Sequence, residues 1–165
     1  DGKINLAPRR YLDDLGRLRD TLAAPGGDSL QLIGRRHVRS NNSWMHNSQR
    51  LVKGKDRCTL MIHPRDASRL GLQAADSAEI ASESGQIVLP VEITEDLMPG
   101  VVSIPHGWGH DRDGTGLSVA TAHAGASIND VLSDCDIDPL SGTSVLNGQP
   151  VSVKVWRPER QRKRA

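Results

Sequence analysis

Short apolar segments, closed by glycine, proline or polar turns, are the feature that most restricts the fold of this chain. They lie at residues 30–33, 59–62, 77–82, 87–93, 100–104 and 150–156. Apolar runs of this length, bounded by turn residues, are typical of strands. Leucines at helical spacing over 8–23 predict one helix, and Pro64 and Gly71 delimit a short second one over 64–70. We therefore predict a mainly β domain with short helices, closed as a barrel.

The length of 165 residues fits one domain. We divide the chain into an N-terminal helix and linker at 1–29, a barrel domain at 30–156 and a basic disordered tail at 157–165. No stretch of about 18 apolar residues is present, so we expect no membrane span. The two cysteines, Cys58 and Cys135, form no CxxC pair. They favour reduced thiols in a cytoplasmic protein over a disulfide framework or a cysteine metal site.

The charge distribution is uneven along the chain. Residues 31–57 carry a net charge of +6, whereas residues 58–156 carry a net charge of −9. A basic segment within an acidic body is a candidate anion site, although a solvated loop is an equal alternative. Aromatic residues make up 2% of the chain and phenylalanine is absent, which argues against a nucleic-acid platform of stacked rings.

Two loops that each follow a predicted strand carry the candidate chemistry. The first, 34–47, offers arginine forks that match phosphate oxygens, together with asparagine and serine donors. The second, 105–110, offers His106 as a donor and Trp108 as a flat apolar face; a tight turn with Trp108 in the core is the alternative. Neither loop has the GxxxxGK[ST] or GxGxxG pattern. We find no self-contained catalytic centre and expect no metal site.

The order of several short motifs resembles the C-terminal domain of molybdopterin-dinucleotide oxidoreductases. The resemblance begins with LIGRR at 32–36 and NNSWMHN at 41–47, and continues with MIHPRDASRLGL at 61–72. It includes a strand and turn at 76–85, where Ala75 occupies a position usually held by glycine. PGVV at 99–102, PHGWG at 105–109, Asn129 and DPLSG at 138–142 complete it. Order and spacing hold from about residue 30 to residue 156.

This resemblance implies a double-psi β-barrel that binds a molybdopterin guanine dinucleotide cofactor (bis-MGD). The molybdenum or tungsten, and the residues that hold it, belong to the preceding catalytic domains of the same polypeptide. The domain alone is then expected to have no turnover. The pattern NSWMHN at 42–47 is similar to formate dehydrogenases, which are therefore the expected enzyme type. The implied cofactor-binding residues are Gly34, Arg35, Arg36, Ser40, Asn41, Asn42, Ser43, Trp44, Met45, His106, Gly107, Trp108 and Asn129.

A second interpretation belongs to a different class of protein. A stand-alone double-psi barrel could serve as an interaction or nucleic-acid-binding module, with residues 35–57 and the tail as its basic surface. We expect no nucleic-acid partner, but the residues alone leave this alternative open. Steep weakening of binding with salt would distinguish it from a dinucleotide pocket.

Overall fold

Six strands form a closed barrel in the computed structural model, which describes residues 2–23 and 27–158. In chain order the strands are β1 (Leu30–Arg35), β2 (Leu60–Ile62), β3 (Ser77–Ala81), β4 (Gln86–Ile93), β5 (Val101–Pro105) and β6 (Gln149–Val155). Around the barrel they follow the order β1-β5-β2-β4-β3-β6, and β6 pairs with β1 to close it. Each of these six strands is therefore paired on both sides.

The connections between strands identify the barrel type. β1 and β2 follow each other in the chain, but β5 lies between them, parallel to β1 and antiparallel to β2. β4 and β5 are likewise consecutive, and β2 lies between them, parallel to β4. These two interlocked strand–loop–strand units make the domain a double-psi β-barrel. The predicted fold class is confirmed.

The helices are short and lie outside the barrel wall. They are α1 (Arg9–Asp13), α2 (Leu15–Ala23), α3 (Gln49–Val52), α4 (Pro64–Leu70) and α5 (Ser118–Ala122), with a 3₁₀ turn at Ile128–Asp130. None of the helices within 2–23 and 27–158 is long and apolar enough to cross a bilayer. The predicted bounds of α4 are confirmed: Pro64 occupies its first turn, and Gly71 ends it with a left-handed φ of 69°.

The single helix predicted over 8–23 is wrong in one respect. It is divided into α1 and α2 at Asp14, which has low helix propensity and precedes Gly16 by two residues. The leucines that gave the helical spacing are exposed. Polar contacts join this region to the loop at 138–139, since Arg10 donates to the Pro139 carbonyl at 2.9 Å. The tail predicted from 157 lies outside the described residues from 159 onward.

The barrel interior is apolar and well enclosed. Its fully buried side chains include Leu32, Leu60, Ile62, Ile80 and Ile104. In β1, β2 and β3 the buried residues alternate with more exposed ones, whereas in β5 four consecutive residues are buried. The parallel pairing of β1 and β5 sets Arg35 beside Pro105, and the His106 amide donates to the Arg35 carbonyl at 2.9 Å. The loops that follow β1 and β5 therefore leave the barrel at the same rim. These are the two loops that carry the predicted site.

Candidate functional site

The loop after β1 and the loop after β5 are in direct backbone contact. Gly107 has a φ of +91°, and a Cβ built on it would lie 2.4 Å from the Asn42 carbonyl oxygen. Asn41 and Asn42 both have positive φ, 41° and 62°, which asparagine tolerates better than most residues. The left-handed turn at 41–42 and the absence of a side chain at 107 thus allow the loops to meet.

A pocket of about 170 Å³ lies at this junction. Residues from both loops and from the segment 55–57 surround it, so the chain's basic segment does line a cavity. Ser40 Oγ and Arg57 Nε are buried, and neither has a hydrogen-bond partner among the described residues. The lining residues are Arg35, His37, Ser40, Lys55, Asp56, Arg57, Met61, Glu92, Pro105, His106 and Trp108. Unsatisfied donors next to cationic side chains suit a ligand that supplies anionic oxygen atoms.

The Arg35 guanidinium group supports the pocket wall. It donates to the Ser103 carbonyl at 2.6 Å, and to the carbonyl and hydroxyl oxygens of Thr59 at 2.7 and 2.8 Å. Burial lowers the pKa of this guanidinium, while Glu92 partly offsets the effect. Arg35 therefore joins β1 to β5 and to the residue before β2, and several of its five donors are already engaged inside the protein.

Glu92 connects the same wall to the basic segment. Its carboxylate accepts from Lys55 Nζ at 2.7 Å and from the Thr59 hydroxyl at 2.8 Å. The bond from Lys55 is the largest cause of a lowered Glu92 pKa, and burial opposes it. The carboxylate is thus held ionised, and it orients the Thr59 hydroxyl that receives Arg35.

Other predicted residues lie on the outer surface of the first loop. Arg36 donates to the side-chain oxygen of Asn42, and both residues are exposed. Trp44 is 82% exposed, and Met45 is also exposed. The structure therefore brings Arg35, Ser40, His106 and Trp108 to one pocket, whereas Arg36, Asn42, Trp44 and Met45 face outward. Outward-facing side chains of this kind can contact a ligand larger than the pocket or a covering domain.

Asn129 lies in a different cavity. It lines a cleft of about 950 Å³ together with four carboxylates, those of Glu83, Asp130, Asp134 and Asp136. Gly34 precedes Arg35 of the basic pocket and lies close to Ile128, which precedes Asn129. Its amide donates to Asn147 Oδ1 at 2.8 Å. The predicted site thus has a basic part at the loop junction and an acidic part at Asn129.

Sequence reasoning missed two histidines and the pairing role of Thr59. His46, 1% exposed, stacks on Trp108 with ring centroids 4.0 Å apart, and its Nδ1 lies 2.7 Å from His110 Nε2. Burial lowers the pKa of His46 to about 4, so it is neutral at pH 7. His46 falls inside the NNSWMHN motif at 41–47, which was the available signal. The side chain of Trp108 is 8% exposed, as expected from the alternative prediction that it packs in the core.

The two cysteines differ in their exposure: Cys58 is buried and Cys135 is exposed. Cys58 and Cys135 are both free thiols. Burial raises the pKa of Cys58 to about 11, which makes it an inert core thiol. Within 2–23 and 27–158, no three His, Cys, Asp or Glu side chains are grouped so that they could hold a metal ion.

Comparison with known proteins places this arrangement in a family. Residues 30–150 match the family model described as "Molydopterin dinucleotide binding domain". The match covers most of the chain and coincides with the barrel and its two loops. The chain therefore belongs to the molybdopterin dinucleotide binding domain family, and the resemblance drawn from its motifs is confirmed.

Relatives with described activities are much longer than this chain. It is 30% identical over 115 residues to a tetrathionate reductase subunit of Salmonella typhimurium, covering 56% of this chain and 11% of that protein. It is 28% identical over 136 residues to ArrA, the molybdopterin-containing subunit of the arsenate respiratory reductase of Chrysiogenes arsenatis, covering 78% and 16%. Acetylene hydratase from Pelobacter acetylenicus has a similar fold, with a TM-score of 0.65 and 23% identity over 88% of this chain and 20% of that one.

Proposed function

We propose that this chain binds and orients a molybdopterin guanine dinucleotide as one domain of a larger molybdenum or tungsten oxidoreductase. The observation that carries the proposal is the pocket at the loop junction. It combines two buried atoms that have no partner among the described residues, Ser40 Oγ and Arg57 Nε, with the cationic groups of Arg35 and Lys55. Such a donor set fits a pyrophosphate, which presents only acceptor oxygens and carries negative charge.

The acidic cleft supports the same ligand from its other end. Pterin and guanine rings carry exocyclic amino and ring N–H donors, and carboxylates and the asparagine oxygen are acceptors for such groups. Asn129 and the neighbouring carboxylates fit this donor edge, whereas the carboxylates would repel a phosphate. We therefore assign the pyrophosphate to the Ser40 pocket and a nitrogen-rich ring to the Asn129 cleft.

The residues of this chain would bind the cofactor from one side. The cofactor supplies the two-electron chemistry at its metal, and the protein supplies binding, orientation and hydrogen bonds. Ser40, Arg57 and His106 would hold acceptor oxygens, while Trp108, fixed by its stack on His46, would keep that wall in place. Arg36, Asn42, Trp44 and Met45 face outward, where the preceding catalytic domains of a longer polypeptide would meet the ligand.

The finer assignments rest on the resemblance. The formate-dehydrogenase-like type remains a prediction, since the relatives described above are named for tetrathionate and arsenate reduction. The guanine form of the dinucleotide, the bis-MGD composition and the cytoplasmic location remain predictions as well. We expect no turnover from this domain alone, because the residues that would ligate the metal belong to the rest of the enzyme.

An NMR titration with guanosine diphosphate (GDP) tests the proposal on this chain. GDP carries the guanine and pyrophosphate of the cofactor, inosine diphosphate lacks only the guanine amino group, and adenosine monophosphate (AMP) is the control. We expect saturable amide shifts near Ser40, His106 and Asn129 with GDP, smaller shifts near Asn129 with inosine diphosphate, and weaker binding of AMP. Equal shifts from all three nucleotides would contradict the proposal.

A serine substitution makes this test residue-specific. Ser40→Ala removes a buried hydroxyl that has no partner among the described residues, so stability should stay within about 0.5 kcal/mol. Because a hydrogen bond to a charged group is lost, the affinity for GDP should fall roughly tenfold. Ser68→Ala, at an exposed position of α4, should change neither quantity. Unchanged GDP affinity in Ser40→Ala would show that the pocket does not bind the nucleotide.

The stand-alone nucleic-acid module is separated by the same titration. If residues 35–57 act as a general polyanion surface, shifts should spread over the exposed Arg50 and Lys53 and should vanish as salt is raised. A pocket with specific donors should retain its nucleotide preference at moderate salt. The aromatic content of 2% does not favour the module.

A further inference from the structure

A pair of imidazoles joins the two site loops at a point that the proposed ligand contacts do not use. His46 lies in the loop after β1 and His110 in the loop after β5, and their Nδ1 and Nε2 atoms are 2.7 Å apart. Their rings meet edge to face at 83°, with centroids 5.0 Å apart. This is a hydrogen bond between residues 64 positions apart in the chain.

Contacts other than their mutual hydrogen bond also hold His46 and His110 in place. His46 is stacked on Trp108, whose ring lies in the second loop. The His110 amide donates to the Ala124 carbonyl at 3.2 Å, and next to it the Gly109 amide donates to the same oxygen at 2.8 Å. The bond therefore connects the buried His46 ring of the first loop to His110 of the second loop, whose backbone is hydrogen-bonded to Ala124.

The protonation states of the two rings decide whether the hydrogen bond between His46 and His110 forms. One ring must present N–H and the other a lone pair, so two neutral rings with complementary tautomers form the bond. The bond fails when both facing nitrogens carry protons and also when neither does. Burial is the largest cause of a lowered pKa at both histidines. The charges of His110 and then Arg57 lower the pKa of His46 further, and Asp111 opposes the shift at His110. Near neutral pH the pair is uncharged and the bond is formed.

We propose that His46 and His110 are positioning residues that latch the loop carrying Ser40 to the loop carrying His106. Together with the contact between Gly107 and Asn42, the latch fixes the distance across the pocket. The effect of the latch on ligand affinity rests on the proposed function, whereas the connection between the two loops does not depend on it. A packed aliphatic residue could fill the same space, but it would supply no directional bond between the loops.

Two substitutions at the half-exposed His110 test the latch. The side-chain amide of His110→Gln can occupy the place of Nε2, which keeps a hydrogen-bonding group and removes the titration. His110→Ala removes the bond without adding bulk. Amide hydrogen exchange in residues 40–47 and 106–110 is the first readout, and GDP affinity is the second. The amides of β3, β4 and β6 report on the barrel as an internal control.

We expect His110→Ala to raise exchange about tenfold in both loops, while exchange in β3, β4 and β6 stays unchanged. His110→Gln should restore protection to within about twofold of the wild type, and GDP affinity should fall in His110→Ala and recover in His110→Gln. Unchanged exchange at 40–47 in His110→Ala would overturn the latch, as would an equal increase throughout the barrel. Equal exchange rates and equal GDP affinities in His110→Ala and His110→Gln would also overturn the latch.

A measurement on the unsubstituted chain keeps the test independent of folding defects. In ¹⁵N-labelled protein, a scalar coupling across the hydrogen bond between His46 Nδ1 and His110 Nε2 should be detectable near pH 7. Two ring nitrogens without mutual coupling would overturn the proposal. If the coupling and the exchange pattern are found but the wild type does not bind GDP, the latch stands and the proposed function fails.

Discussion

The backbone of Gly107 lies directly against the carbonyl group of Asn42, closer than any side chain would permit. A Cβ on Gly107 would be 2.4 Å from that oxygen and 2.7 Å from its carbon. The contact joins the loop after β1 to the loop after β5, at the rim where β1 and β5 end in parallel. It explains why glycine stands between His106 and Trp108, both of which line the pocket.

Gly107→Ala should therefore destabilise the domain by at least about 2 kcal/mol, since it adds a backbone clash to the strain of a positive φ. Gly114 is the matched control: its φ is +84°, and nothing lies within 4 Å of its Cβ position. Gly114→Ala should cost only about 1 kcal/mol. Urea unfolding of both variants measures the difference. Equal losses would show that the loops do not meet at Gly107.

Arg35 and Arg36 should respond differently to replacement by lysine. The Arg35 fork donates at once to Ser103 and Thr59, which a single ammonium cannot reproduce. Arg35→Lys should lower the free energy of unfolding by about 1–3 kcal/mol. Arg36→Lys, at an exposed position, should change it by less than about 0.5 kcal/mol. Thermal melting of both variants checks this; a neutral Arg35→Lys would contradict the role assigned to the buried guanidinium.

Ala75 has a φ of +69°, in the region that glycine occupies without strain. Glycine is usual at this position in the family that the motifs resemble. Ala75→Gly should stabilise the chain by about 0.5–1 kcal/mol, because the relieved strain exceeds the added flexibility of the unfolded state. The neighbouring Ala74, whose φ is not positive, is the control, and Ala74→Gly should destabilise. Denaturant midpoints give both values, and a loss in Ala75→Gly would refute the strain.

His46 should make stability depend on pH. Its pKa is about 4 in the folded protein, below the value near 6.5 of an unfolded chain. Between these values the unfolded state binds more protons, so His46 stabilises the fold above pH 6.5 and loses this contribution as the pH falls toward 4. The free energy of unfolding should drop by up to about 3 kcal/mol over this range relative to His46→Phe, which keeps an aromatic ring on Trp108. Parallel pH profiles for the two proteins would contradict the lowered pKa.

Strand lengths and turn residues were sufficient to predict the barrel class, because each apolar run ended within about two residues of the observed strand. The helix over 8–23 could be predicted only in part. Its leucine spacing does not distinguish a face packed on this barrel from one left exposed, and the break at Asp14 depends on local geometry. Whether the leucine face of a helix is buried depends on the elements that pack against it, and the spacing of the leucines carries no information about those elements.

The candidate site could be predicted at the level of loops but not of individual contacts. Charge and chain position located the basic segment and the two loops. They could not show that the Arg35 donors turn inward to Thr59 and Ser103, because these bonds follow from the strand register. The same holds for Asn129, which the resemblance included among the cofactor-binding residues and which the fold places beside carboxylates.

A crystal structure of the chain grown with saturating GDP tests the proposed cofactor site most directly. We predict diphosphate density at the loop junction, next to Ser40, Arg57 and His106, with the guanine amino edge toward Asn129 and its carboxylates. Diphosphate density only on the exposed residues of 50–55, with an empty junction, would contradict the proposed cofactor-binding function.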